Sequence, residues 1–226
     1  MKGFDIAIYG HLSYDNIYEG FNYKSSVGCM GNVWNQLKII NPDLKVKLEP
    51  TDIGESLILA DVEQCKRTSV SRLSLKTQAP SIHDSKVSHV MYINELSDTS
   101  FIKDLKGFVT ADVCNGKSLN LNDKNLQYID LLLISDEDMF VDIATLCSVI
   151  RGSVLMHYPT GSTLYKQDLH FTKQNATLVS GINVLGAGDK LAAYILAGLL
   201  DSTNALPKVI QHAHSALTNY YINEKI

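Results

Sequence analysis

No two cysteines in this chain stand close together. The four, Cys29, Cys65, Cys114 and Cys147, are scattered with no Cys-x-x-Cys pair. This excludes a zinc-finger or thioredoxin-type motif and leaves reduced, partly buried thiols of a cytosolic protein as the expectation. A basic stripe is also missing. Acidic residues number 24 against 20 lysines and arginines, for a net charge of -4, so no nucleic-acid partner is expected. The longest apolar run, Leu191 to Leu200, is too short to cross a bilayer, and no membrane partner is expected. The opening MKGFDIAIYG lacks the apolar core and small-residue cleavage site of a secretion signal, so the expected location is the cytoplasm. No histidine joins a cysteine at zinc spacing. By spacing alone His83, His157, His212 and His214 belong to structure or solvent.

What is present points to one α/β domain. The 226 residues are 45% hydrophobic, enough for a single sizeable core. Short strand-like runs alternate with helix-like runs. FDIAIYG reads as a first strand ending at Gly10. GNVWNQLKII carries Val33, Trp34, Leu37 and Ile40 at helical spacing, and NPD stops it. LKVKLEP alternates as a strand does, and SLILADVEQC reads as a helix. SHVMYI, GFVTADV, IDLLLIS and GSVLMHY read as strands, with a helix in MFVDIATLCSVI. Apolar strands alternating with helices predict a mainly parallel sheet covered on both faces. Two polar, loosely alternating segments, 13–28 and 71–92, are expected to form a small flap inserted in the single domain 1–226.

The segment INVLGAGDKLAAYILAGLL, 182–200, poses a chemical question: why does a lone carboxylate stand at the mouth of so apolar a run? Gly186, Ala187 and Gly188 form a turn of small residues leading into a helix. Such a turn exposes backbone N–H groups which, with the helix dipole, make a seat for an anion, most often phosphate. Asp189 then lies beside that seat. There it can take a proton from a hydroxyl attacking phosphorus, or it can simply cap the helix.

Five stretches, in order, resemble motifs of the ribokinase-like (PfkB) carbohydrate kinases. IAIYGHLSYDNIY resembles the family's first strand and the acid after it, here Asp15. VGCMGNVWNQL resembles the N-terminal glycine-rich motif, with Gly28 and Asn32 at matching positions. IDLLLISDEDM and VLMHYPTGSTLY resemble the strands leading to the magnesium and nucleotide sites. GAGD before an apolar helix resembles the C-terminal motif. The departures are equally plain. Lys190 stands where the family has a small residue, Asn183 where it has an acid, and Cys29 where it has a glycine.

The resemblance implies a three-layer α/β/α ribokinase-like sandwich with a reduced β lid. It implies ATP and magnesium as cofactors, and transfer of phosphate to a hydroxyl of a sugar or sugar-like small molecule. Asp189 would be the general base, and the N–H groups of the Gly186–Ala187–Gly188 turn would hold the transferring phosphoryl group. Asp15, Gly28 and Asn32 would bind substrate. Thr160, Gly161 and His214 would border the nucleotide, and Glu137 and Asp138 would hold magnesium. The flap would also serve a possible homodimer. The alternative is a degenerate member that binds a sugar or nucleoside without phosphoryl transfer.

Overall fold

The computed structural model describes residues 3–61, 66–76, 79–113, 119–136, 142–168, 170–177, 186–201 and 203–224. Ten strands form one sheet: β1 Phe4–Glu19, β2 Asn22–Ser26, β3 Val46–Asp61, β4 Lys66–Lys76, β5 Ser85–Met91, β6 Phe108–Asp112, β7 Leu131–Ser135, β8 Ser153–Tyr158, β9 Gly161–Tyr165 and β10 Phe171–Asn175. Among the described residues four α-helices accompany them: α1 Gly28–Ile40, α2 Ile143–Val149, α3 Ala187–Leu199 and α4 Leu206–Glu224. The strand order is β10-β9-β8-β7-β6-β5-β1-β3-β4, with β2 on β1. From β8 across to β3 every neighbouring pair is parallel; β9, β10, β4 and β2 join antiparallel.

The central strands are apolar because both their faces are covered. On one face Ile6, Ile8, Leu131, Leu133 and Leu155 pack with α1, α3 and α4 residues including Met30, Val33, Leu191, Ile195 and Ile210. On the other, Ala7, Tyr9, Leu132, Ile134 and Val154 pack with Leu146, Cys147 and the connecting 3-10 turns around Phe101 and Leu126. The result is three layers, as the alternation of runs predicts.

The burial pattern of β1 changes midway. Ile6 to Gly10 are all buried. From Ser13 onward burial alternates, with Ser13, Asp15 and Ile17 buried while Tyr14 and Tyr18 are exposed. The switch follows Gly10, where φ is 131° and the β1–β3 register slips between Gly10 and His11. Beyond it the strand leaves the covered sheet and becomes an arm. There it pairs with the far half of β3, whose outer partner is β4, and with β2.

Three sequence expectations change. FDIAIYG does not end its strand at Gly10, since β1 continues to Glu19. SLILADVEQC is strand, not helix, over Ser56–Asp61, and 62–65 lie outside the described residues. Its apolar run suits either state locally, and pairing with the long β1 decides between them. Of the flap segments, Ser85–Met91 is β5, wedged between β1 and β6 in the main sheet. Gly28, the last residue of the 13–28 segment, already begins α1. The arm's second half is instead β3 from Asp52 on, with β4. Cys29 and Cys147 are free and buried; Cys65 and Cys114 lie outside the described residues.

Candidate functional site

The site gathers at the carboxyl ends of the parallel strands, where open α/β sheets bind ligands. Gly186 caps α3 in the left-handed conformation at φ 75°, ψ 12°, a position glycine fills without strain. The first N–H groups of α3, on Ala187, Gly188 and Asp189, have no acceptor within the helix. Asp189 is 9% exposed, and its Oδ2 accepts a 2.8 Å hydrogen bond from Asn32 Nδ2 on α1. The structure thus brings two expected residues together across 157 positions of chain. Asn32 orients the carboxylate, a role the sequence expectation of sugar contact does not include.

Asp15 sits within β1 on the inner face of the arm, not after a strand end, and accepts a 2.7 Å bond from Ser13 Oγ. Gly28 lets Ser13 approach: a β-carbon on Gly28 would lie 2.0 Å from Ser13 Oγ. The buried Cys29 thiol reports the local field. Burial pushes its pKa well up, and the charges of Asp189, Asp112 and Asp15 push the same way, against a hydrogen bond with Tyr92. The thiol is therefore protonated at neutral pH and is not an activated nucleophile there.

Sequence reasoning missed Tyr92 and Asp112 at this end of the sheet, assigned His157 to structure or solvent, and met Lys190 only as a departure from the family motif. Tyr92, just past β5, is held at φ 52°, with its N–H donated to Asp112 Oδ1 at 2.5 Å. Asp112 ends β6, and a strand closing on an acid was the available signal. His157, near the end of β8, lies 3.7 Å from where a β-carbon on Gly188 would stand. Its pKa is pulled down to about 4, mainly by burial, with His214 reinforcing and Asp136 opposing, so it meets the turn as a neutral imidazole. Lys190 keeps its Nζ over the Tyr220 and Tyr221 rings, at 5.4 and 5.8 Å from their centroids.

The expected nucleotide residues are more dispersed. Thr160 is on the exposed turn between β8 and β9, its carbonyl accepting Ala176 N–H at 2.9 Å. Gly161 is buried at φ 143°, with the Gln174 carbonyl where a side chain would begin. His214 is buried, and its Nε2 meets Ser162 Oγ at 2.7 Å. Glu137 and Asp138 lie outside the described residues. Asp136, just before them, is exposed at the end of β7. Among the described residues no group of three His, Cys, Asp or Glu side chains is arranged to hold a metal ion, and no helix is long and apolar enough to cross a membrane.

No protein-family model matches the chain, and no curated protein matches it in sequence. Solved structures match it over nearly its whole length. A ribokinase from Cryptococcus neoformans var. grubii, in complex with ADP, superposes with a TM-score of 0.69 at 11% identity, covering 96% of this chain and 93% of the other. A Burkholderia thailandensis nucleoside kinase in complex with inosine gives 0.68 at 13% identity, covering 96% and 91%. A pyrophosphate-dependent kinase in the ribokinase family, complexed with a pyrophosphate analogue and myo-inositol, gives 0.61 at 17% identity, covering 96% and 94%. Likeness at these identities is one of architecture, and the architecture of this chain is the ribokinase-like, PfkB-type fold.

Proposed function

We propose that the protein is a kinase that transfers a phosphoryl group from ATP to a hydroxyl of a sugar or sugar-like small molecule. One observation carries the reading. A carboxylate, Asp189, stands at a glycine-capped helix N-terminus, oriented by Asn32 from a second helix. Base and anion seat therefore share one turn. The acceptor O–H gives its proton to Asp189 while its oxygen bonds to the γ-phosphorus. The bond from that phosphorus to the ADP oxygen breaks, and the N–H groups of Ala187, Gly188 and Asp189 take the charge that develops. Asp15, on the inner face of the arm with Ser13, is assigned to the acceptor's other hydroxyls, and Gly28 to the close packing that allows it.

Magnesium suits the acids that follow β7. Asp136, Glu137 and Asp138 are the hard oxygen donors it takes. When bound, the ion supplies charge neutralisation across the donor phosphates. Thr160 and Gly161, on the turn beside β8, are assigned to the nucleotide side, with His214 behind them.

The test is consumption of magnesium-ATP against a panel of sugars, nucleosides and polyols that includes inosine and myo-inositol, with pyrophosphate as a second donor. The panel follows the ligands of the structural relatives. Turnover with at least one acceptor is expected. Asp189→Asn should fall about a hundredfold to ten-thousandfold in kcat, the usual contribution of a positioned base, with its circular dichroism unchanged. Undiminished turnover in Asp189→Asn would sink the proposed chemistry. ATP binding with no turnover across the panel would favour the reading of a member that binds but does not transfer.

A further inference from the structure

The proposed reaction brings dense negative charge to the start of α3, and one cation already stands there. Lys190 is the fourth residue of that helix, its backbone N–H bonded to the Gly186 carbonyl at 3.0 Å. Its half-buried side chain turns back along the site. Nζ lies against Tyr220 and Tyr221 of α4 and 3.9 Å from the point where a β-carbon on Gly186 would sit. Asn32 Nδ2 and Asp189 Oδ2 are each 3.6 Å from that same point. Ammonium, amide and carboxylate therefore converge on the turn.

This placement runs against helix electrostatics. The first turn of a helix favours acids, and a cation there opposes the dipole. Half-buried charges ordinarily find an opposite charge or several hydrogen bonds. Among the described residues Lys190 Nζ makes no ion pair and no hydrogen bond; beside the neighbouring Asp189 carboxylate it has only the two ring faces. Aromatic faces orient an ammonium without neutralising it. The arrangement is costly in the empty protein and favourable once an anion occupies the turn.

Building on the kinase reading, we propose that Lys190 binds the terminal phosphate of the donor and selects donors that end in a polyphosphate. It moves no proton. Its fixed charge and three N–H donors meet the equatorial oxygens of the phosphoryl group, while Asp189 receives the acceptor's proton on the other side. Tyr220 and Tyr221 hold the side chain in reach, so the entropy of ordering a long lysine is lost on folding and not on binding.

The test is calorimetric titration with inorganic pyrophosphate of the wild type, Lys190→Met, Lys190→Arg and Asp189→Asn, each checked for fold by circular dichroism. Lys190→Met should bind about tenfold or more weakly, the range for losing a charged hydrogen bond. Lys190→Arg should keep most of the affinity, and Asp189→Asn should lose none. With an accepted acceptor in hand, Lys190→Met should raise the donor KM and lower kcat while the acceptor KM stays put. A lysine that merely ties α3 to α4 would lower the melting temperature and leave pyrophosphate affinity alone. Equal affinity in folded Lys190→Met, or a wild type that binds no pyrophosphate, overturns the proposal. If Lys190→Met does not fold, Lys190→Gln carries the same comparison. Pyrophosphate binding that depends on Lys190, in a wild type that phosphorylates nothing, would uphold this inference and fell the kinase reading instead.

Discussion

At the scale of single residues, the proposed function assigns some groups to the acceptor and others to the donor, and Asp15 tests that division. It is 9% exposed, held by Ser13, and faces inward from an arm whose outer face shows Tyr14 and Tyr18 to solvent. Burying a carboxylate is costly unless it is hydrogen-bonded, and the proposed function gives Asp15 the acceptor's hydroxyls beside the bond from Ser13. We expect Asp15→Ala to raise the acceptor KM about tenfold or more, in line with losing a charged hydrogen bond, while the donor KM changes little. Steady-state kinetics with each substrate varied in turn reads this directly. Parallel loss of both affinities would show that Asp15 supports the arm and does not touch the acceptor.

At the scale of elements, the decisive piece is β1, which serves two structures in 16 residues. Gly10 makes that possible. At its φ of 131° a β-carbon would stand 2.5 Å from the Met91 carbonyl oxygen on β5. Gly10→Ala should therefore cost about 2–3 kcal/mol from backbone strain and overpacking together, read as a lower midpoint in urea with an unchanged slope. A stability equal to wild type would mean that the strand bends elsewhere. The same strand shows what the sequence could reveal. Runs such as LLLIS and FDIAIYG are apolar on both sides because the sheet is covered on both sides, so the α/β architecture was readable from them. The arm was readable only as a polar anomaly. β2 folds back on β1 as a local hairpin, but the arm's pairing with β3 is long-range, and Ser56–Asp61, apolar enough for a helix, becomes strand because β1 needs a neighbour. The candidate site followed the same division. Gly186–Asp189 announced itself as a local turn chemistry. The Asn32–Asp189 bond joins residues far apart in the chain, and the seats of Lys190 and His157 depend on α4 and β8, so no local spacing could signal them.

At the scale of the whole molecule, burying neutral histidines ties stability to pH. His89 lies in β5, at the middle of the sheet, with 0% exposure. Its Nδ1 shares a 2.7 Å bond with Thr110 Oγ1. Among the described residues its Nε2 has no hydrogen-bond partner, and Asp112 Oδ2 is 3.9 Å away. Burial pulls its pKa down to about 3 from 6.5, and His157 is pulled down to about 4. The sign follows from proton counting. Between pH 6.5 and these lower values the unfolded chain carries protons that the folded chain refuses. The histidines' contribution to stability is therefore complete above pH 6.5 and declines as pH falls towards 4 and then 3. By pH 4.5, two units below the unfolded value, His89 alone should account for a loss of about 2–3 kcal/mol. Urea unfolding at a series of pH values gives the slope, and His89→Gln should lower it by about 1.4 kcal/mol per pH unit between pH 6 and 4. The glutamine removes the titrating ring yet can still bond Thr110, so its effect on the slope is separable from any loss at pH 7. A slope unchanged in that variant would mean that the imidazole is protonated within the fold, paired with Asp112 across the ends of β5 and β6.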